Sequence, residues 1–260
     1  MQIGVIIPTY NEAGNLPRLV SSLFALPLNL HLLVVDDNSP DGTGKIAEVL
    51  CQANARRMNV IHRPEKSGLG SATIEGIHYF LNQKADAIAQ IDADLSHDPS
   101  TLIMMTMRLE TCDLVLGSRY VRGGSVDSRW PIKRRRLSAW GNLYARTILK
   151  LPFRDNTSGY RLWRYDALHD MPLNLVRSSG YVFQVEMLYL AHRLKLAIHE
   201  VPMHFTEREN GKTKMSIKIL MEAALRIWQL PLYYRNIQRN NSLNRTGKIE
   251  SLKDQYIPGP

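Results

Sequence analysis

The sequence predicts an α/β protein with a mainly parallel central sheet and helices on both of its faces. Short apolar runs recur at IGVII, LHLLVV, MNVIH, AIAQI and DLVLG. Segments of helical period separate most of them, which is the alternation of strands and crossover helices. Right-handed crossovers then stack helices on both sheet faces. The third observation is size: 260 residues with 44% hydrophobic content suit one large α/β domain or two small ones and exclude disorder, collagen and coiled coil as global descriptions.

The elements follow in order. MQIGVIIPTYNE has no basic n-region and only a short apolar run before Pro8, so it is a first strand rather than a signal peptide, and the chain is expected in the cytosol. Leu16, Leu19, Val20 and Leu23 share one face of the first helix, with Asn15 as its cap and Pro17 in its first turn. After about Arg119 the texture changes to GGSVDSRWPIKRRR, glycine-rich and then strongly basic. Leu137, Trp140, Tyr144, Ile148 and Leu151 then fall at helical spacing. A further helix is expected in YVFQVEMLYLAHRLKL, a strand in IHEVPMHF, and a helix from about Lys214 that stops at Pro231. The last residues are polar and unpatterned, a mobile tail.

Lys and Arg number 33 against 24 Asp and Glu, a formal net charge of +9. A phosphate-rich partner or an anionic membrane surface is the first electrostatic expectation, and charge alone does not choose between nucleic acid, lipid and nucleotide. Cys51 and Cys112 have no metal-ligand spacing and are expected to be buried thiols of a reducing compartment. The most apolar segment, Met215 to Tyr234, carries Lys218, Glu222 and Arg226, so no bilayer span is expected and membrane contact must be peripheral or through a partner.

Three polar clusters follow strand ends: PTYNE (Pro8 to Glu12), VDDNSPDGT (Val35 to Thr43) and IDADLSH (Ile91 to His97). In an open α/β sheet the carboxyl ends of the strands line one crevice, so the three can meet. Asp92 and Asp94, two apart in an extended segment, project to one side, where they could hold a hard divalent cation that also takes diphosphate oxygens. Asp36 and Asp37 close an apolar strand, where a pair of carboxylates needs hydrogen-bond donors. One of them could cap the helix that begins at Thr43; Asp37 is expected to contact a ligand.

GLGSA (Gly68 to Ala72) is a poor dinucleotide fingerprint, because Thr73 occupies the third glycine position; a Rossmann oxidoreductase is set aside. A nucleotidyltransferase would carry a glycine-rich loop where this chain has PTYNE. Arg119, Arg208 and Lys214 follow predicted strands and suit phosphate. Lys133, Arg134, Arg135 and Arg136 form a basic run between Trp130-Pro131 and an amphipathic segment, a mix suited to a lipid headgroup layer. In the last helix Lys218, Glu222, Arg226 and Gln229 make one polar stripe opposite a broad apolar face, which either packs into the core or lies on a membrane. The eight histidines show no zinc spacing and are expected to be structural.

PTYNE, VVDDNSPDGT, GLGSA, DADLSH, GSRYVRGG, NTSGYR, GYVFQVEM and FTERENGKTKMS, in this order, resemble the dolichyl-phosphate or polyprenyl-phosphate mannose synthases, family 2 glycosyltransferases of GT-A fold. The resemblance runs from the N-terminus to about Trp228. It implies one GT-A domain over residues 1–235, a donor-binding half to about 120 and an acceptor- or membrane-facing half beyond, with a flexible tail over 236–260. It implies that Pro8, Tyr10, Glu12, Val35 and Asp37 hold the donor nucleoside. Asp92, Ala93 and Asp94 would meet the metal and diphosphate, and Arg119, Arg208 and Lys214 would surround the phosphates. Arg134 and Ser138, with Arg119, would contact the acceptor phosphate, and Asp94, Arg119, Arg208 and Lys214 would form the catalytic set. Ser96 stands where an archaeal relative has a Gln metal contact, and Thr213 replaces the more usual Ser before Lys214.

The activity so implied is inverting transfer of mannose from GDP-mannose to dolichyl or polyprenyl phosphate with Mg²⁺ or Mn²⁺. The expected place is the cytosolic membrane face, reached through interfacial segments or a small membrane-anchoring partner. The alternatives are UDP-glucose or another donor on the same lipid and, from another class, a basic nucleic-acid-binding module. The acidic strand ends, which would repel a nucleic-acid backbone, argue against the last, so no nucleic acid is expected.

Overall fold

Strand β1 (Gln2–Thr9) sets the architecture through its alternation. Ile3, Val5 and Ile7 belong to one apolar core and Ile6 to another, all of them buried, so both faces of the sheet are covered. The computed structural model describes residues 1–207 and 217–237. After β1 come α1 (Leu16–Phe24), β2 (Asn29–Asp36), α2 (Thr43–Ala53), β3 (Met58–His62), α3 (Leu69–Asn82), β4 (Ala87–Gln90), α4 (Thr101–Leu109) and β5 (Leu114–Ser118). The second part holds β6 (Ser125–Val126), α5 (Ile132–Leu149), β7 (Arg161–Arg164), α6 (Tyr165–His169), a 3₁₀ turn (Leu173–Leu175), α7 (Gly180–Arg193), β8 (Ile198–Pro202), β9 (His204–Phe205) and α8 (Ile217–Tyr233).

Seven strands form one sheet in the order β3-β2-β1-β4-β7-β5-β8. All neighbours pair in parallel except around β7, which runs antiparallel to both β4 and β5. β6 and β9 form a small separate sheet. Between β1 and β4 the strand order reverses direction, which is where an open α/β sheet leaves a crevice at its carboxyl edge. The register fixes what meets there: Ile6 pairs with Gln90, and Thr9 with Asp36. The mainly parallel sheet with helices on both faces is therefore observed, with a GT-A-like order.

One core lies under α1, α2 and α4 and takes Val5, Leu32, Val34 and Leu102. The other lies under α3, α5, α7 and α8 and takes Ile6, Val35, Phe80, Phe183 and Leu230. Gly4 is required at this second face, since a Cβ there would stand 2.4 Å from the Phe80 ring.

Several sequence expectations are corrected. Asn15 precedes α1 but does not cap it; its side-chain amide donates to Glu12 Oε2 instead (2.8 Å). Neither Asp36 nor Asp37 caps α2: Asp41 accepts from the backbone N–H of Thr43 (3.0 Å). The expected strand IHEVPMHF is two strands in different sheets, β8 and β9, parted at Met203, whose N–H bonds to Ser118 O. Pro202, with no N–H to give, ends the first of them. The α5 helix ends at Leu149, with Lys150 left-handed at φ 52°, so Leu151 lies beyond it. Helix α8 does not stop at Pro231 but continues to Tyr233. A proline in the last turn removes a single intrahelical bond, and the buried Leu230 and Tyr234 hold the chain on its helical course. Of the two thiols Cys112 is buried, but Cys51 is only half-buried.

The basic run and the amphipathic segment that follows it share one helix, α5. Its exposed apolar residues include Ile132, Leu137, Trp140 and Leu143. The apolar residues of α8 divide between two surroundings: Ile227, Leu230 and Tyr234, which follows the helix, are buried, while Leu225, Trp228, Leu232 and Tyr233 stand in water. Tyr144 Oη donates to Ala224 O (3.2 Å) and joins the two helices. Among the described residues no helix is long and apolar enough to cross a membrane.

Candidate active site

The loops after β1, β2 and β3 are knitted into one cradle at the carboxyl edge. Asp36 accepts from the Thr9 hydroxyl (2.9 Å) and from the backbone N–H and hydroxyl of Ser39. Asn11 N–H donates to Ser39 Oγ, Glu12 N–H to Thr43 Oγ1 and Ala13 N–H to Asp41. Asp37, also buried, accepts from Ser67 N–H (3.0 Å), Gly68 N–H (2.7 Å) and the Arg63 guanidinium (2.6 Å). The adjacent carboxylates are thus satisfied by separate donors, as their burial requires. The first amide of GLGSA, that of Gly68, is turned to Asp37.

The acidic cluster after β4 supplies the next group. Asp92 is partly exposed and lines a cleft of about 220 Å³. Asp94 is buried and accepts from the backbone N–H (3.0 Å) and hydroxyl (2.5 Å) of Ser96. His97 lies in the cleft wall, stacked on Tyr160 and edge-on to Phe205, with Nδ1 3.3 Å from the Asp92 nitrogen. Burial lowers the His97 pKa against the opposing pull of Asp92 and Asp94, so the imidazole is neutral. Gly159 faces Asp92, and a Cβ there would stand 3.1 Å from its carboxylate. Among the described residues no group of three His, Cys, Asp or Glu side chains converges to hold a metal by protein ligands alone.

Arg119 follows β5 and is held by a buried partner. Its Nε and Nη2 each donate to Asp155 at 2.7 Å, its backbone N–H donates to the same carboxylate, and Nη2 also reaches Thr157 Oγ1. Burial would lower the Arg119 pKa, but the charge and hydrogen bonds of Asp155 outweigh it and the value is raised. Asn142 on α5 extends the network, donating to Thr157 Oγ1 and accepting from Asn156 N–H. Glu200 on β8 accepts from the Arg154 and Asp155 amides. The cleft arginine is therefore fixed to three elements of the fold.

The far side of the cleft belongs to α5 and its neighbours. Arg134 donates to both oxygens of Glu207 (2.7 Å each) and lies over the Trp130 ring at 3.9 Å. Ser138 accepts from Tyr120 Oη (2.8 Å). Beyond them the walls are apolar: Leu137, Trp140 and Tyr144 from α5, Val182 and Val185 from α7, and Ala224 and Ile227 from α8.

The cleft therefore brings together Asp92, Arg119, Arg134 and Ser138 of the residues singled out in the sequence. Tyr10 and Glu12 stand in the neighbouring cradle, where Lys66 lies over the Tyr10 ring (3.6 Å). Pro8, next to last in β1, is half-buried, whereas Val35 and Ala93 are packed in the core. Arg208, Thr213 and Lys214 lie outside the described residues. Asp155, Thr157 and Asn142, which hold Arg119, were not among the residues singled out in the sequence. Asp155 precedes NTSGYR and Thr157 lies within it, but both are distant from Arg119 in sequence, so no spacing pointed to the pairing.

The GT-A-like α/β sheet brings a carboxylate and two arginines to its switch-point crevice, a set of groups suited to a phosphorylated ligand. Residues 4–171 match the family described as Glycosyl transferase family 2. The chain is 42% identical over 224 residues to the polyprenol monophosphomannose synthase of Mycolicibacterium smegmatis, covering 86% of this chain and 84% of that protein. It is 41% identical over 240 residues to the undecaprenyl-phosphate mannosyltransferase of Micrococcus luteus, covering 92% and 98%. Glucosyl-3-phosphoglycerate synthase from Mycobacterium tuberculosis, solved with Mn²⁺, UDP and phosphoglyceric acid, shares the fold with a TM-score of 0.63 at 20% identity, over 93% of this chain and 80% of that one. The protein belongs to glycosyl transferase family 2 and is a glycosyltransferase.

Proposed function

We propose that the protein transfers mannose from GDP-mannose to a polyprenyl or dolichyl phosphate, with inversion, at the cytosolic face of a membrane. One observation carries the reading: a single cleft joins a polar end, with Asp92, Arg119, Arg134 and Ser138, to an apolar wall from α5, α7 and α8. That is the complement of a phosphate head on a hydrocarbon chain. The names of the two bacterial relatives support the mannosyl and polyprenyl-phosphate parts of the proposal.

Asp92 and Asp94 offer hard carboxylate oxygens, a donor set that fits Mg²⁺ or Mn²⁺ taking its remaining ligands from diphosphate and water. Bound there, the cation would offset charge on the departing diphosphate. The nucleophile is an oxygen of the acceptor phosphate, which with a second pKa of about 6 is largely dianionic at neutral pH. It attacks the anomeric carbon as the bond to the diphosphate breaks and the electron pair leaves with that group. No protein base is required. The chain must instead align two phosphorylated substrates and offset their repulsion. Arg119 enters this task already oriented by Asp155, and Arg134 would exchange Glu207 for the acceptor phosphate. Arg208 and Lys214 are proposed for the leaving diphosphate on the resemblance alone.

The exposed Trp140, Leu143, Trp228 and Leu232, with cations in the first turn of α5, are proposed to rest in the headgroup layer. A small membrane partner would serve the same end. The test is transfer of labelled sugar to a short polyprenyl phosphate from GDP-mannose and from UDP-glucose, with and without Mg²⁺ or Mn²⁺. Metal-dependent mannolipid from GDP-mannose alone is expected. Product from UDP-glucose only would overturn the sugar assignment, and no product from either donor with membranes added would overturn the activity.

A further inference from the structure

Gln184, in the first turns of α7, lines the cleft beside Asp92, Ser158 and Gly159. It is 3% exposed, and neither Oε1 nor Nε2 of its amide has a hydrogen-bond partner among the described residues. An amide so placed costs stability in the free protein, and an apolar side chain of similar length would avoid that cost.

The surrounding residues fix its position. Arg161, fully buried on β7, donates through Nη2 to Gln184 O (2.6 Å) and through Nε to Ser158 O (2.9 Å). One guanidinium thus ties the start of α7 to the Ser158–Gly159 loop, and Gly159 packs against the Asp92 carboxylate. The backbone of Gln184 is thereby held to the loop whose Gly159 faces Asp92, in the wall of the same cleft. An amide is a neutral pair of donor and acceptor that carries no proton away and offers no charge to phosphate. Its complement is a pair of hydroxyls, each of which both gives and accepts a hydrogen bond.

We propose that Gln184 reads the hydroxyl pattern of the sugar being transferred and so sets which hexose the enzyme accepts. The inference rests on the sugar-nucleotide reading above and deepens it.

The experiment compares wild type with Gln184→Met, which keeps the side-chain length without the amide. Affinities for GDP and GDP-mannose are measured by calorimetry with Mn²⁺. Transfer is followed from GDP-mannose and from GDP-glucose, which differ in one hydroxyl configuration. GDP affinity should stay unchanged, and the melting temperature should not fall. The kcat/KM from GDP-mannose should drop roughly 10- to 100-fold, with the preference for mannose over glucose shrinking by a similar factor. Gln184→Asn, which withdraws the amide by one methylene, should lose the same preference and serves if the first variant folds poorly. Unchanged kcat/KM and sugar preference in a folded variant would overturn the proposal alone, as would an equal loss for both sugars together with weaker GDP binding. A wild type that neither binds nor transfers from any nucleotide sugar would overturn the functional reading, and this inference with it.

Discussion

The strand-end loops, proposed above as the donor side, and the α5–α8 surface, proposed as the acceptor side, are built in opposite ways. On the donor side the strand-end carboxylates are tied into the fold: Asp36 to Thr9 and Ser39, Asp37 to Ser67, Gly68 and Arg63, and Asp94 to Ser96. On the acceptor side Trp140, Leu143, Trp228 and Leu232 present more than half of their surface to water. The first arrangement is preorganised and holds charge in fixed directions before any substrate arrives. The second leaves large apolar side chains exposed on two adjacent helices, the mark of a surface that meets another phase or molecule. If the comparison is right, donor-side substitutions should damage chemistry or folding, and acceptor-side ones should damage membrane contact while leaving both intact.

The sharpest break of that contrast is at Asp92. Because its side chain is 27% exposed, Asp92→Asn should fold normally, with an unchanged urea midpoint. Transfer should fall by about 10²- to 10³-fold, the scale of one lost transition-state stabiliser. Removal of divalent cations by a chelator should have at least as large an effect in wild type and little further effect in the variant. Full activity in Asp92→Asn would mean that the polar end of the cleft is not the donor end.

Asp155 comes next, and here stability is the readout. It is fully buried against an Arg119 that is nearly so. Asp155→Ala leaves that guanidinium without its partner and should cost about 3–5 kcal/mol in urea denaturation. The double variant Asp155→Leu/Arg119→Met should recover most of the stability, since apolar packing often replaces a buried ion pair without loss. It should be inactive, which separates the stability of the pair from the need for the Arg119 guanidinium.

The donor side was also the more legible in sequence. Apolar runs ending in PTYNE, VDDNSPDGT and IDADLSH located the strands and the crevice, because buried parallel strands are continuous and their ends are polar. The acceptor side was legible only as composition. Strand β7 escaped because its sequence, RLWR, has an arginine at each end. Arg161 is fully buried, and Arg164 is spent on the carbonyls of Leu109, Glu110 and Cys112. The alternation that marks a strand disappears when the polar residues face inward to bond backbone. Asp155 and Gln184 escaped for a related reason: their roles come from partners brought close by β7 and α7, which no local spacing encodes.

On the acceptor side, Leu143→Ala and Trp228→Ala should leave the melting temperature and GDP binding unchanged, since both side chains stand mostly in water and neither lines the cleft. Each should weaken binding to lipid vesicles by about 1–2 kcal/mol, roughly 5- to 30-fold, as expected for a large apolar side chain partly withdrawn from water. Activity on a short acceptor in detergent should be retained. Loss of stability in either variant would show instead that these helices pack against the protein and not against a lipid surface.

The smallest effect should come from Lys133 and Arg136, both exposed near the start of α5. The first turn of that helix contains no acidic residue. Cations at a helix N-terminus oppose its dipole, at a cost of about 0.3–1 kcal/mol each. Removing them with Lys133→Gln and Arg136→Gln should therefore leave the protein equally stable or slightly more so. An anionic lipid surface would reverse the balance, contributing about 1 kcal/mol per cation, or about fivefold in vesicle binding for each substitution. The loss should appear on vesicles containing anionic lipid, disappear on neutral ones, and shrink as salt screens the surface. A variant that gains stability while losing only salt-sensitive vesicle binding would show that these charges serve the membrane at the expense of the helix that carries them.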